Sequence, residues 1–125
     1  ICKEKFIYID FYKSGGGSIL VEIKDEQELV KLLKLLAHPL RLRIIASLSE
    51  EPKSIYTLAK ELGKSYPLIH LYLKGLRKSG LVILVKSEKR VESLPDVKYY
   101  KVKDFKLTIT PSLIRKIVGK VKRNG

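Results

Sequence analysis

Two helical patterns separated by a single glycine limit the folds open to this chain. The first, "IYTLAKEL", follows Ser54, whose hydroxyl can cap it, and ends at Gly63, because glycine readily takes the left-handed conformation that closes a helix. The second pattern runs from about Ser65 to Lys78 and ends before Gly80. A short helix, a tight turn and a longer helix predict a helix-turn-helix.

A charged β-hairpin is predicted directly after the second helix. The segment "LVILVK" is typical of a strand, "SEKRVESLPD" is a polar excursion, and "VKYYKVKDF" predicts the returning strand. Tyr99 and Tyr100 are neighbours on that strand and must point to opposite faces, so we expect one in the core and the other beside the hairpin. This order of elements is that of a winged helix-turn-helix, whose second helix can enter the major groove of DNA.

Further segments flank this motif on both sides. Apolar and polar residues alternate on either side of "KSGGGS" and predict an N-terminal β-hairpin, while Asp25 and Glu28 form a capping box that begins a helix. Thr110 and Pro111 begin a C-terminal amphipathic helix. We therefore expect an α+β, mainly α fold with a hairpin extension at 1–24, a winged helix-turn-helix domain at 25–110 and a helix for dimerisation at 111–125.

The charge of the chain favours a polyanionic partner. Lysine and arginine number 26 against 13 acidic residues, which gives a net charge of +13. Residues 64–106 alone hold eleven basic and four acidic side chains, and 111–125 hold five basic and no acidic ones. A basic excess concentrated in one half is the electrostatic signature of a nucleic-acid-binding protein. A lysine-rich surface that serves only solubility is the other interpretation.

The composition predicts a cytoplasmic protein without a membrane segment. No uncharged apolar run approaches the ~18 residues that cross a bilayer, and the N-terminal residues lack the basic and then apolar layout of a signal peptide. The single cysteine, Cys2, has no partner for an internal disulfide. Few asparagines and glutamines beside many lysines are typical of a thermophilic source.

Two signatures occur in a fixed order in the middle of the chain. Residues 58–82 read "LAKELGKSYPLIHLYLKGLRKSGLV", with Leu-Ala-x-x-Leu-Gly before a polar turn and Gly-Leu-Val after the second helix. Residues 36–48 read "LAHPLRLRIIASL", with a His-Pro-x-Arg segment. Both signatures resemble the arsenical-resistance-repressor (ArsR) family of winged-helix regulators, in an archaeal or thermophilic form. The resemblance spans roughly 29–103, extends more loosely to the C-terminal helix and leaves out the N-terminal hairpin.

The resemblance implies a dimeric, repressor-like transcription regulator that binds double-stranded DNA at a pseudo-palindromic site. Its recognition helix, about 65–78, would lie in the major groove, and its wing, about 86–98, on the backbone or in the minor groove. The implied DNA contacts are Lys64, Ser65, Tyr66, His70, Leu71, Lys74, Arg77, Lys78, Lys86, Lys89 and Arg90. The implied dimer contacts come from the first and last helices and are Leu29, Leu32, Leu33, Leu113, Ile117 and Val121.

Two leucines depart from the family pattern on the recognition helix. Leu71 stands where a basic or polar residue is usual, and Leu68 where a small hydroxylated residue is usual. In the major groove an apolar side chain can contact only the thymine methyl group. Base discrimination would then rest on the polar residues Ser65, Tyr66, His70 and Lys74. Two alternatives remain: a protein-interaction module in which both leucines form a docking patch, or non-specific nucleic-acid binding.

The sequence holds no pattern for a metal site, a cofactor or a catalytic centre. Residues 56–62 contain no cysteine or histidine and 111–123 no histidine or carboxylate, which are the positions where the family's metal sensors bind their ions. His38 and His70 are isolated from other ligands, and His38 is expected to cap a helix or serve as a hinge. The acidic residues form no Asp-x-Asp pair and no nucleophile elbow accompanies them. We therefore expect a protein that is not an enzyme and binds neither metal nor cofactor.

Overall fold

The computed structural model describes residues 7–13 and 15–119. Its elements, in chain order, are β1 Ile7–Tyr12, β2 Ser18–Ile23, α1 Glu26–Leu36, α2 Pro39–Leu48, α3 Ile55–Leu62, α4 Tyr66–Ser79, β3 Val82–Glu88, β4 Val97–Val102, β5 Asp104–Leu107 and α5 Pro111–Val118. This confirms the expected α+β fold with an N-terminal hairpin and a C-terminal helix. Within these ranges no helix is long and apolar enough to span a membrane.

The chain divides into two compact units. One, here called the sheet unit, comprises the described residues between 7 and 33 and between 104 and 119, and the other, the helix-turn-helix unit, comprises residues 34–103. The sheet unit contains two distant parts of the chain because β5 pairs with β1. The segments 1–24, 25–110 and 111–125 suggested by the sequence stay a prediction.

A three-stranded antiparallel sheet in the order β2–β1–β5 forms the sheet unit. In the β1–β2 hairpin Ile7 is opposite Ile23, and in the β1–β5 pair Ile9 is opposite Leu107. The sequence predicted one strand from Val97 to residue 105, but this strand is interrupted after Val102. The Lys103 main-chain N–H still donates to the Leu81 carbonyl at 2.8 Å, beyond the last β3–β4 pair, and from Asp104 the chain pairs with β1 instead.

The apolar face of this sheet packs against helices of the same unit. Ile7, Ile9 and Ile23 are buried together with Leu29 of α1 and Leu113 of α5. Helices of the same chain thus cover part of the apolar face of the hairpin. Full burial of each such side chain contributes roughly 1.5–3 kcal/mol to folding, which a two-stranded hairpin alone lacks.

Local sequence signals begin and end the helices as predicted. The Glu28 N–H donates to Asp25 Oδ1 at 2.8 Å, and the Leu113 N–H donates to Thr110 Oγ1 at 3.2 Å. The Glu28 carboxylate accepts from the main chain of Lys24 rather than from that of Asp25, also at 2.8 Å. These caps satisfy N–H groups that have no partner within their own helix.

Helices α2, α3 and α4 and the β3–β4 hairpin build the helix-turn-helix unit around one apolar core. Its fully buried side chains are Ile44, Leu58, Ile69, Leu73, Leu76, Leu81 and Val82. Ser54 caps α3, and the turn between α3 and α4 is closed by Gly63 with a φ of 64°. Gly80 ends α4 with a φ of 85°. Both glycines have the left-handed conformation that the sequence predicted.

A lysine-centred network fixes the loop between α2 and α3. The Lys53 side chain is 5% exposed, and its Nζ lies 2.9 Å from Glu50 Oε1 and 3.0 Å from Glu61 Oε2. Ser47 Oγ donates to Glu61 Oε2 at 2.7 Å. Hydrogen bonding to Glu50 raises the pKa of Lys53, and hydrogen bonding from Ser47, followed by that from Lys53, lowers the pKa of Glu61. The Lys53 main chain also pairs with that of Tyr100, through two hydrogen bonds of 2.9 Å.

Candidate DNA-binding surface

Helix α4 presents a solvent-exposed face opposite its buried face. Ile69, Leu73 and Leu76 point into the core. At about 100° of rotation per residue, the line farthest from this buried stripe passes through Leu71 and Lys78. Both side chains are exposed, and Leu71 reaches 61%. The outward face of α4 is therefore available to a partner.

The first turn of α4 carries an aromatic pair beside this outward face. The rings of Tyr66 and His70 lie nearly parallel, 6.4 Å apart between centroids, and both residues are exposed. Ser65 caps the helix by accepting from the Leu68 N–H at 3.3 Å, so its hydroxyl already has one hydrogen bond. Leu68 is half-buried. The structure thus places the predicted polar residues on accessible surface.

The end of α4 is positive and is positioned by an aromatic ring. The Arg77 guanidinium lies 4.9 Å from the centre of the Tyr100 ring, and Tyr100 is buried to 5% exposure. Lys74 and Lys78 are exposed on the same helix. Positive charge near a helix C-terminus is favoured by the helix dipole. These side chains can meet phosphates where the helix leaves a groove.

The β3–β4 hairpin forms the wing predicted from the sequence. The pairing shifts register between Leu84 and Lys86, which marks an irregularity at the base of the wing. Tyr100 belongs to the core, whereas the Tyr99 ring lies 5.5 Å from Lys86 Nζ and its hydroxyl accepts a hydrogen bond from Arg90. This confirms that one tyrosine is in the core and that the other supports the wing.

Carboxylates of the wing pair with its cations. Lys86 Nζ lies 3.0 Å and Arg90 Nε 3.3 Å from Glu88, and Lys89 Nζ lies 3.9 Å from Asp96. Hydrogen bonding from Lys86 lowers the pKa of Glu88, so this carboxylate stays ionised at neutral pH. The predicted basic residues are therefore present, but their charge is partly balanced within the wing, which the sequence did not reveal.

Lys98 adds a cation that the sequence-based list of contacts omitted. It lies on β4, is exposed and makes no ion pair with any residue in the described ranges. Its position on the strand opposite Ser87 places it within the wing. Strand alternation gave no signal for it, because Lys98 is two residues from the buried Tyr100 and shares a face of β4 with it.

The His-Pro-x-Arg segment braces another side of α4. His38 caps α2, because its Nδ1 accepts the main-chain N–H two residues later at 3.1 Å, which confirms the predicted capping role. Its ring centroid lies 4.3 Å from that of Tyr72, and the Arg41 guanidinium lies 5.0 Å from the Tyr72 ring. A Cβ on Gly75 would approach Arg41 Nη2 to 3.1 Å, so a glycine gives the guanidinium room.

The predicted dimer residues fall into two groups. Leu29 and Leu113 are buried within the sheet unit, and Leu32 and Ile117 pack against that core. Leu33 is 40% exposed, and Val121 lies outside the described residues. The same helices expose three further apolar side chains, which are Val30, Ile114 and Val118. The apolar surface open to a second chain therefore contains Leu33, which was predicted. Its other members are Val30, Ile114 and Val118, each next in sequence to a predicted residue.

Metal ligands do not converge in the part of the chain that the structure describes. No group of three or more histidine, cysteine, aspartate or glutamate side chains is close enough there to hold an ion. His70 stacks on Tyr66, and His38 caps α2. Each histidine thus contacts a group that is not a metal ligand cluster: His70 contacts an aromatic ring, and His38 a main-chain N–H.

Comparison with known proteins identifies the family. The model described as "bacterial regulatory protein, arsR family" matches residues 38–83, which include α2, α3 and α4. An uncharacterized HTH-type transcriptional regulator of Methanocaldococcus jannaschii is 36% identical over 90 residues, which are 72% of this chain and 92% of that protein. The biofilm growth-associated repressor of Xylella fastidiosa is 37% identical over 59 residues, which are 47% of this chain and 52% of the repressor.

A solved structure of a transcriptional repressor is also similar to this chain. The crystal structure of the transcriptional repressor BigR from Xylella fastidiosa is 27% identical, with 70% of this chain and 75% of that chain covered and a TM-score of 0.46. Because the Methanocaldococcus regulator is matched over nearly its whole length and the arsR model covers the helix-turn-helix, the chain belongs to the ArsR family of helix-turn-helix transcriptional regulators, a non-enzymatic family.

Proposed function

We propose that this protein is a homodimeric, repressor-like regulator that binds a specific site in double-stranded DNA. Helix α4 lies in the major groove, and the wing contacts the backbone or the minor groove. The observation that carries the proposal is the outward face of α4, where Lys74 and Lys78 lie opposite the buried stripe of the helix. The Xylella relative, which is named a repressor, supports the repressing role. A regulator of this kind acts in the cytoplasm.

The dimensions of the helix and the groove support this arrangement. A helix with side chains is about 10–12 Å across and the major groove is about 12 Å wide. A helix in the groove therefore presents its outward face to the base edges and its flanks to the two phosphate backbones. Arg77 and Lys78, in the last turn, would meet phosphates at the exit. The cations of the wing add charge contacts that fix orientation without reading sequence.

The dimer is supported by apolar surface on the first and last helices. Val30 and Leu33 of α1 are about two-fifths exposed, as are Ile114 and Val118 of α5. A single α4 spans only a few base pairs, whereas two copies read half-sites about one helical turn, or ~34 Å, apart. Association through these side chains would supply the second copy. It would also bury apolar surface that a single chain leaves in water.

Protein docking through the same face of α4 is the competing function. The 61% exposure of Leu71 favours it, because large apolar side chains at a surface often mark interfaces. The neighbouring Lys74 and Lys78 favour nucleic acid instead, since charged residues are depleted in the centre of protein interfaces. A partner retained by the protein after nuclease treatment, together with failure to bind duplex DNA, would establish the docking function.

Selection of bound duplexes from a random pool tests the proposal. The full chain is mixed with the pool at fixed salt, and the bound fraction is amplified and sequenced over several rounds. The proposal expects an enriched palindrome with half-sites about one helical turn, roughly 10 base pairs, apart. An unenriched pool bound with high affinity would indicate non-specific binding, and a pool that is not bound at all would exclude DNA as the ligand.

A further inference from the structure

Leu71 occupies the centre of the surface that α4 presents to solvent. Among the large apolar side chains of α4 it is the most exposed, at 61%, ahead of Tyr66 at 52%. It lies about half a turn away from the buried line of Ile69 and Leu73. A side chain in that position makes no contribution to the core. In a groove-bound helix it is also the side chain that comes nearest to the groove floor.

The surroundings of Leu71 are apolar in the middle and positive at both ends. Pro67 lies one turn earlier on the same stripe and is exposed. Lys74 and Lys78 follow at the later turns, and Lys64 is exposed in the turn before the helix. Cations thus bracket a small apolar patch along α4. This pattern fits a surface whose ends contact phosphates and whose middle contacts something uncharged and apolar.

The floor of the major groove offers one apolar group, the C5 methyl of thymine. The other groups there are hydrogen-bond donors and acceptors: N7 and O6 of guanine, N7 and N6 of adenine, N4 of cytosine and O4 of thymine. A leucine side chain can neither donate nor accept a hydrogen bond. It would displace water from those groups without replacing the hydrogen bonds that they lose. Against a methyl group the same contact removes two apolar surfaces from water.

We propose that Leu71 determines specificity by packing against the methyl group of a thymine at one fixed position of each half-site. The inference rests on the proposed function, since it requires α4 in the major groove. It assigns Leu71 a part in base recognition, whereas the sequence pattern assigned base recognition to the polar residues alone. The polar side chains Tyr66 and His70 lie on the flank of the helix and can read neighbouring positions.

Replacement of thymine by deoxyuridine tests this contact directly. Deoxyuridine removes only the methyl group and preserves base pairing and charge. In a duplex recovered by selection, each thymine is replaced in turn, symmetrically in both half-sites, and the affinity of the wild-type chain is measured by fluorescence anisotropy. One position is expected to weaken binding by roughly fourfold per methyl, and by about fifteenfold for both half-sites, from the burial of one carbon per site.

The same replacements are then measured with Leu71→Ala and with Leu42→Ala. Leu71→Ala should bind the thymine duplex more weakly and show no further loss with deoxyuridine at the sensitive position, which is the coupling a double-mutant cycle detects. Leu42, on α2, is also an exposed leucine, at 53%, and its variant should keep the full sensitivity. Because Leu71 lies outside the core, its variant should melt at the wild-type temperature.

Three results would overturn the inference in distinguishable ways. If selection yields a site but no deoxyuridine replacement weakens wild-type binding, the thymine methyl is not read. If a sensitive position exists and Leu71→Ala retains the sensitivity, another residue reads it. If the wild-type chain selects no site at all, the proposed function fails and the inference fails with it.

Discussion

The guanidinium of Arg77 lies 4.9 Å from the centre of the Tyr100 ring, so the last turn of α4 is tied to strand β4 of the wing. Tyr100 is itself fixed by paired main-chain hydrogen bonds to Lys53, in the loop before α3. The recognition helix, the wing and the loop before α3 are thereby linked within one unit. Arg77 is exposed, so its charge can reach a phosphate while the ring holds its stem in place.

Two replacements of Arg77 distinguish the effect of its charge from the effect of its contact with the Tyr100 ring. Arg77→Lys keeps the charge and loses the planar contact with the ring, worth about 0.5–1 kcal/mol, so DNA affinity should fall about two- to fivefold per subunit with an unchanged salt dependence. Arg77→Ala should weaken binding further and reduce the slope of log affinity against log salt by about one per subunit, or about two for the dimer. Titrations at several salt concentrations measure both effects. Identical slopes for the two variants would show that Arg77 does not contact a phosphate.

Glu88 should restrain DNA binding by the wing. It pairs with Lys86 and Arg90, and removing its charge should leave both cations free for phosphates and also remove a repulsion. Glu88→Gln is expected to tighten binding at low salt by roughly three- to tenfold. Glu92→Gln removes the same charge from the wing at a residue that forms no ion pair within 7–13 or 15–119, and it should have a smaller effect. Equal gains in DNA affinity from both variants would mean that affinity depends on the net charge of the wing and not on the ion pairs of Glu88.

The Lys53 network should make stability depend on pH in a definite direction. The pKa of Glu61 is lowered from its usual 4.5, so its contribution is complete above that pH and is lost as the pH falls through the lower folded-state value. The pKa of Lys53 is raised above 10.5, so its contribution persists below that pH and is lost only at more alkaline pH. The network is therefore intact across the neutral range.

Urea unfolding from about pH 7 to about pH 3 measures the acid side of this dependence. Glu61→Gln should lower the free energy of unfolding at neutral pH, and its difference from the wild type should shrink as the pH falls below 4.5. Glu51→Gln, in the exposed loop nearby, serves as the control and should behave as the wild type. A difference that stays constant with pH would assign the effect of Glu61 to packing rather than to its charge.

Dimer formation should depend on the exposed apolar residues of α1. Leu33 is 40% exposed, so Leu33→Glu leaves the core intact and places a charge on the proposed interface. Sedimentation equilibrium should show a shift to monomer, with an affinity for the selected palindrome at least tenfold weaker because the second half-site no longer adds to binding. Lys34→Glu, the adjacent exposed residue, is the control for added negative charge. A Leu33→Glu protein that remains dimeric would move the interface elsewhere.

The elements of the helix-turn-helix could be predicted from sequence because their signals are local. Ser54 and Gly63 bound α3, and Gly80 ends α4, so each signal lies within a few residues of the element that it limits. These signals depend on helix geometry and caps that any chain with the same short pattern shares.

Contacts between distant residues could not be predicted in the same way. Pairing of Ile9 with Leu107 joins β5 to β1 across most of the chain, and no short pattern encodes such a partner. The burial of Leu113 follows from that assembly, because the completed sheet gives α5 a face to cover. The pairing of Lys89 with Asp96 likewise depends on how the wing folds back on itself. The sequence therefore supplied the basic residues of the site but not their balance of charge.

The central claim is that α4 binds DNA through its outward face, and the salt dependence of Lys74→Ala/Lys78→Ala tests it most directly. The control is Lys13→Ala, an exposed lysine in the N-terminal hairpin loop. Affinity for the selected duplex is measured across a range of salt concentrations for the wild type and for both variants. The double variant should bind at least tenfold more weakly at low salt, with a slope reduced by about four because each subunit of the dimer loses two cations, and the control should match the wild type. Unchanged affinity and slope in the double variant would contradict the claim.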